Sequence, residues 1–114
     1  MEDYRIMPET WVRVAAIGDI AEGEILAVEV KGEPVALCRL EGGEFRAAHN
    51  VCTHQIACLS DGWLDGDTIE CPLHGGRFDL RTGEGLSAPI ERPVAVYPVR
   101  VDGNDVLIDA SAVG

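Results

Sequence analysis

The stretch Cys52–His74, CTHQIACLSDGWLDGDTIECPLH, sets one cysteine two residues before a histidine and, after sixteen intervening residues, a second cysteine three residues before another histidine. The chain has only four cysteines and three histidines, so two of each are spent on these two similar pairs. In extended backbone, residues i and i+2 project to the same side, and the thiol of Cys52 and the imidazole of His54 can therefore reach one site together. Cys71 and His74 do the same across a turn that Pro72 stiffens, while Gly75 and Gly76 let the backbone approach a bound group. Two thiols and two imidazoles on two loops predict a four-ligand metal site.

The grouping of the donors bears on the metal. Zinc sites of two Cys and two His usually pair like with like along the chain, because one tetrahedral ion needs no separation of sulfur from nitrogen. Here each pair is mixed. Mixed pairs on two loops suit two adjacent irons, one taking a Cys from each loop and the other a His from each, which is the ligation of a Rieske [2Fe–2S] centre. A zinc-stabilised interaction module is the alternative reading.

Outward from this stretch the chain is a series of short β-type runs: WVRVAA, EILAVEV, PVALCRL and EFRAAH before it, then GRFDL, PVAVYPVRV and DVLIDA after it, with DTIEC inside. The separators KGE, EGGE, DGD, RTGEG and DGN supply the residues that hairpin turns need at positive φ. No segment sustains a helical period, so the expected class is all-β, an antiparallel sandwich or small barrel. In VAVYPVRV, alternation places Val94, Val96, Pro98 and Arg100 on one face and Ala95, Tyr97, Val99 and Val101 on the other. Pro98 predicts an edge position or a bulge, because it has no amide hydrogen for a ladder. Residues 50–90 are dense in Gly, Asp, Cys and His and predict functional loops on a scaffold.

With 114 residues and a 46% hydrophobic share, the chain is expected to form one domain over 1–114. Its 20 acidic against 9 basic residues give a formal charge of −11, a field that repels nucleic acid and anionic membranes and speeds encounter with a basic partner. No apolar stretch reaches the length of a membrane span, and MEDYRIMPETW lacks the basic end and apolar run of a signal peptide, so a cytoplasmic location is expected. A G-x-G-x-x-G fingerprint for a flavin or nicotinamide is absent, as is a second set of histidines for a mononuclear iron. The chain therefore reads as a carrier and not as an enzyme.

C-x-H, sixteen residues, then C-x-x-H-G resembles the signature of the Rieske family. The wider stretch CTHQIACLSDGWLDGDTIECPLHGGRFDLRTGEGLSAP is similar to the small Rieske ferredoxins that feed bacterial aromatic-ring dioxygenases, and the similarity runs on through YPVRVDGNDVLID. The resemblance implies a Rieske-type antiparallel β sandwich with a small subdomain of loops and short strands, the cluster-binding loops lying within about 50–90. It implies one [2Fe–2S] cluster, with Cys52 and Cys71 on one iron and His54 and His74 on the other. It also implies a monomeric carrier that takes electrons from a NAD(P)H-dependent flavoprotein ferredoxin reductase and delivers them to a terminal oxygenase, with no nucleic acid or membrane as partner. The alternative within the family is a small Rieske subunit held in a complex such as nitrite reductase.

Members of the family with high potentials carry a disulfide between the loops and hydroxyl donors to the sulfurs. Leu73 stands where that disulfide needs Cys, and Gly76 and Phe78 stand where the Ser and Tyr hydroxyls would be. Without those donors the reduced cluster is less stabilised, and a potential near the low end of the range, about −150 mV, is expected. Pro89, in SAPI, matches the loop that shields the cluster, and Gln55, Leu73 and Pro89 are rim candidates. Of the remaining residues, Cys38 reads as an inert packed thiol and Cys58 as an unpartnered one. His49 reads as a partly buried strand-end residue, and Trp63 as an aromatic buried beneath the loop, with a place on the docking rim beside Gln55, Leu73 and Pro89 as its alternative.

Overall fold

In the computed structural model the described residues are 10–52, 57–72, 75–86 and 92–113. Ten strands follow in chain order: β1 (Trp11–Ala16), β2 (Glu24–Val30), β3 (Glu33–Arg39), β4 (Phe45–His49), β5 (Trp63–Asp65), β6 (Thr68–Glu70), β7 (Arg77–Asp79), β8 (Val96–Tyr97), β9 (Val99–Asp102) and β10 (Asp105–Asp109). They form three antiparallel sheets in the orders β1-β10-β9, β2-β3-β4-β8 and β5-β6-β7. Among the described residues there is no α-helix, only three single 3₁₀ turns.

The four-stranded sheet is the middle layer because both of its faces are apolar. Val35, Leu37, Phe45, Ala47 and Tyr97 project to one side, where Ala15, Ile20, Val106, Ile108 and Val113 complete a first core. Ala36, Cys38 and Ala48 project to the other side and join Leu59, Ile69, Phe78, Leu80 and Val94 in a second core. Each fully buried Leu, Ile or Phe contributes roughly 1.5–3 kcal/mol, so both layers hold the central sheet. Burial on both faces also explains PVALCRL: a strand covered on two sides loses polar alternation and reads as a continuous apolar run.

Turn chemistry sets the registers. Lys31 and Gly32 both have positive φ (56° and 78°), as the tight turn joining β2 and β3 requires. Lys31, the chain's one lysine, is held there by donating from Nζ to the carbonyls of Ala110 (3.2 Å) and Val113 (3.0 Å).

PVAVYPVRV is not one strand. The chain pairs with β4 as far as Tyr97, passes Pro98, and from Val99 pairs with β10 in another sheet. Alternation across the whole run therefore fails: Tyr97 is buried in the first core while Val101 is 45% exposed. Pro98 works as a sheet-switching point, where a missing amide hydrogen costs no ladder bond, and its carbonyl accepts from the Asp109 N–H at 3.3 Å. β5 lies in SDGWLDGD, which punctuation alone marks as loop.

Cys38 packs in the second core with no exposed surface, and burial pushes its thiol up from 9.0 to about 12. An unfolded chain releases this proton near pH 9 while the folded chain keeps it. The contribution is complete below pH 9 and falls by about 1.4 kcal/mol per pH unit as pH rises from 9 toward 12. Cys38→Ala is expected to flatten that part of the alkaline stability curve measured by denaturant titration; an unchanged slope would show that the thiol is not the titrating group.

Candidate metal centre

The two cysteine loops are built alike. Val51 pairs with Cys58 in an isolated antiparallel bridge, and Glu70 pairs with Arg77 in the β6–β7 ladder, so each loop bridges a pair seven residues apart. In each, the cysteine is the first residue beyond the pair and its N–H reaches the carbonyl five residues on: Cys52 to Ala57 at 2.8 Å, Cys71 to Gly76 at 2.7 Å. Gly75, at φ 70°, turns the second loop back. A side chain there would approach the Glu70 carboxylate at 3.3 Å.

Both thiols face inward. Cys52 is 4% exposed and Cys71 1%, and they share the second core with Leu59, Ile69, Phe78 and Val94. This core forms an apolar floor that excludes water from the sulfur side of the site. Phe78, fully buried there, brings no hydroxyl to the cysteines. All four cysteines are outside disulfides.

Asn50 anchors the first loop. It is 4% exposed, its N–H donates to the Pro34 carbonyl at 3.0 Å, and its own carbonyl accepts from the Leu59 N–H at 2.6 Å. Its side chain is satisfied by Ser60, with Oδ1 accepting from the Ser60 N–H at 2.7 Å and Nδ2 donating to Ser60 Oγ at 3.0 Å. One buried amide thus ties β3, the loop base and the following 3₁₀ turn together, at a net gain of about 1 kcal/mol per bond. The one signal the sequence offers for Asn50 is a polar residue two positions before Cys52.

Cys52 and Cys71, then, are brought into one buried cluster. His54 and His74 lie outside the described residues, as do Gln55, Leu73 and Pro89, and among the described residues no group of three or more His, Cys, Asp or Glu side chains converges. His49 ends β4 partly buried, with its Nδ1 3.5 Å from the Tyr97 hydroxyl. Cys58 is exposed. Trp63 corrects its expectation. It is 57% exposed, because Leu64 and Ile69 occupy the inner face of the small sheet and leave Trp63 on the outer one.

Two inward thiols on matched loops over an apolar floor are a donor pair suited to a thiolate-ligated metal group. The chain belongs to the Rieske [2Fe-2S] domain family, whose model matches residues 10–98, and one Rieske cluster is accordingly its cofactor. It is 48% identical over 105 residues to the ferredoxin component of the naphthalene 1,2-dioxygenase system of Pseudomonas aeruginosa, covering 92% of this chain and 100% of that one. Among solved structures it is similar to the ferredoxin of carbazole 1,9a-dioxygenase from Nocardioides aromaticivorans IC177 (TM-score 0.82, 40% identity, 87% of this chain and 96% of that one). It is equally similar to a chain in a complex of reduced oxygenase and oxidised ferredoxin in carbazole 1,9a-dioxygenase (TM-score 0.82, 41% identity, 89% and 94%).

The donor set fits that cluster on the sulfur side. Two buried thiols, unbridged by a disulfide, stand one on each loop, and their surroundings are apolar enough to shelter sulfide.

Proposed function

We propose that this chain is the ferredoxin component of an aromatic-ring dioxygenase system, carrying single electrons from a NAD(P)H-dependent flavoprotein ferredoxin reductase to a terminal Rieske non-haem iron oxygenase. The matched pair of loops that buries Cys52 and Cys71 on one apolar floor carries this reading, and near-full-length similarity to a dioxygenase ferredoxin supports the carrier over a permanent subunit. In it Cys52 and Cys71 hold one iron from the buried side, and His54 and His74 hold the other. When bound, the cluster supplies a one-electron couple.

The residues around the site do the rest. Leu59, Ile69, Phe78 and Val94 keep water from the thiolates, and Asn50 holds the first loop to the scaffold. The described residues 57–86 carry six carboxylates against Arg77 and Arg81, an excess of four negative charges. That field disfavours an added electron and agrees with a potential near the low end of the Rieske range. The proposed carrier acts as a monomer of one domain, 1–114, in the cytoplasm. Among the described residues no helix is long and apolar enough to cross a membrane.

Iron, zinc and acid-labile sulfide per chain, with an electron paramagnetic resonance spectrum after reduction, test the reading. About two irons, about two sulfides and a Rieske-type signal are expected. One zinc and no signal would overturn it in favour of an interaction module.

A further inference from the structure

The outer face of the small sheet carries a row that the redox chemistry does not use. Register aligns Trp63 with Glu70 and Glu70 with Arg77 across β5, β6 and β7. The Phe78–Gly85 bridge and the Leu86 N–H donating to the Arg77 carbonyl at 2.8 Å extend the row to Leu86. Because Ile69 and Phe78 are buried on the inner face, these four side chains lie outward. Trp63 (57% exposed) and Leu86 (46%) are two of the four large exposed hydrophobic residues among those described, and here they bracket an ion pair between Glu70 and Arg77 (3.4 Å). The row stands at the end of the sheet where β6 runs into Cys71. Beside the indole, a groove of about 410 Å³ opens between the small sheet and β2, lined by Glu24, Ile25, Ser60 and Leu64 among others.

We infer that this row is a protein-docking face whose occupant is the terminal oxygenase, with Trp63 as the anchor that enters an apolar pocket bordered by basic side chains. The inference rests on the carrier reading above. An exposed Trp is the residue type that most often dominates binding energy, and it does so where the surrounding contacts exclude water. The charge selects the partner's chemistry. Asp61 and Glu24 make no ion pair among the described residues, and Asp65, with a side chain 76% exposed, is only 3.7 Å from a shared Arg77. A cationic rim would be steered to this surface, and a guanidinium would find both carboxylates and the indole face. A relative 41% identical to this chain has been captured in a complex with an oxygenase, which favours the oxygenase over the reductase as the partner that holds on.

The test measures binding of the cluster-loaded carrier to the oxygenase component of the naphthalene 1,2-dioxygenase system and to a flavoprotein ferredoxin reductase, alongside reduction potential and paramagnetic spectrum. Trp63→Ala is expected to weaken oxygenase binding by about tenfold or more and Leu86→Ser by a smaller factor, with potential and spectrum unchanged. Trp63→Tyr should restore most of the loss. Val101→Ser, at an exposed hydrophobic residue in β9, serves as control. Oxygenase binding unchanged in Trp63→Ala, a loss no larger than that of the control, or an equal loss toward the reductase would each overturn the assignment while leaving the carrier reading intact. A wild-type chain that binds neither protein would overturn the carrier reading, and this inference with it.

Discussion

Serine in place of either Cys52 or Cys71 is expected to give a chain that purifies without colour, iron or a paramagnetic signal. Each thiol is buried to within a few per cent, and the backbone N–H of each cysteine donates to the carbonyl five residues on, helping to close its loop. A hydroxyl at the same place is a poor donor to iron and leaves a polar group on an apolar floor, at a cost of roughly 1–3 kcal/mol. If these thiols are ligands, they are assembled only by folding, and losing the cluster also removes its binding free energy from stability. Cysteine in place of His54 or His74 has a different expected outcome. If the cluster assembles, its spectra move toward those of an all-cysteine centre and its potential falls toward about −400 mV. A Cys52→Ser or Cys71→Ser protein with full iron and an unaltered spectrum would remove these residues from the ligand set.

The second large effect is at Gly83. Its φ is 84°, and a β-carbon there would collide with the Val94 carbonyl. The same glycine donates its N–H to the Asp79 carbonyl at 2.6 Å and its carbonyl accepts from the Val94 N–H at 2.8 Å, stitching the small sheet to the segment that leads into β8. Gly83→Ala must therefore bear left-handed strain and also displace backbone, for a loss of about 3 kcal/mol or more. In a domain of this size that is on the order of 10 °C or more in Tm. Gly103 offers the comparison: φ is 63° but nothing lies within 4 Å of its β-carbon position, so Gly103→Ala should cost about 1 kcal/mol. Equal losses at the two sites would mean that the close approach to Val94 does not constrain the fold.

Local patterns were legible where one strand met one environment. WVRVAA and EILAVEV coincide with β1 and β2, and Cys52 and Cys71 each begin a loop. Legibility failed where long-range pairing decided the outcome. WLD became β5 because β6 lies beside it, and a three-residue strand whose last residue opens an Asp-Gly pair holds no periodicity to read. The outward side of Trp63 is illegible for the same reason. A sequence shows that an aromatic residue is present, while which face of a sheet is covered depends on what packs against it.

The sequence by itself determined the all-β class, the turn positions and the presence of two Cys/His pairs of similar spacing, since each depends on neighbours within a few residues. Only the tertiary structure decided that the central sheet is covered on both faces, that the chain changes sheets at Pro98, that Cys52 and Cys71 share one dry cluster, and that Trp63 and Leu86 share one exposed row. Those outcomes depend on strand register, which is set by apolar contacts between segments far apart in the chain.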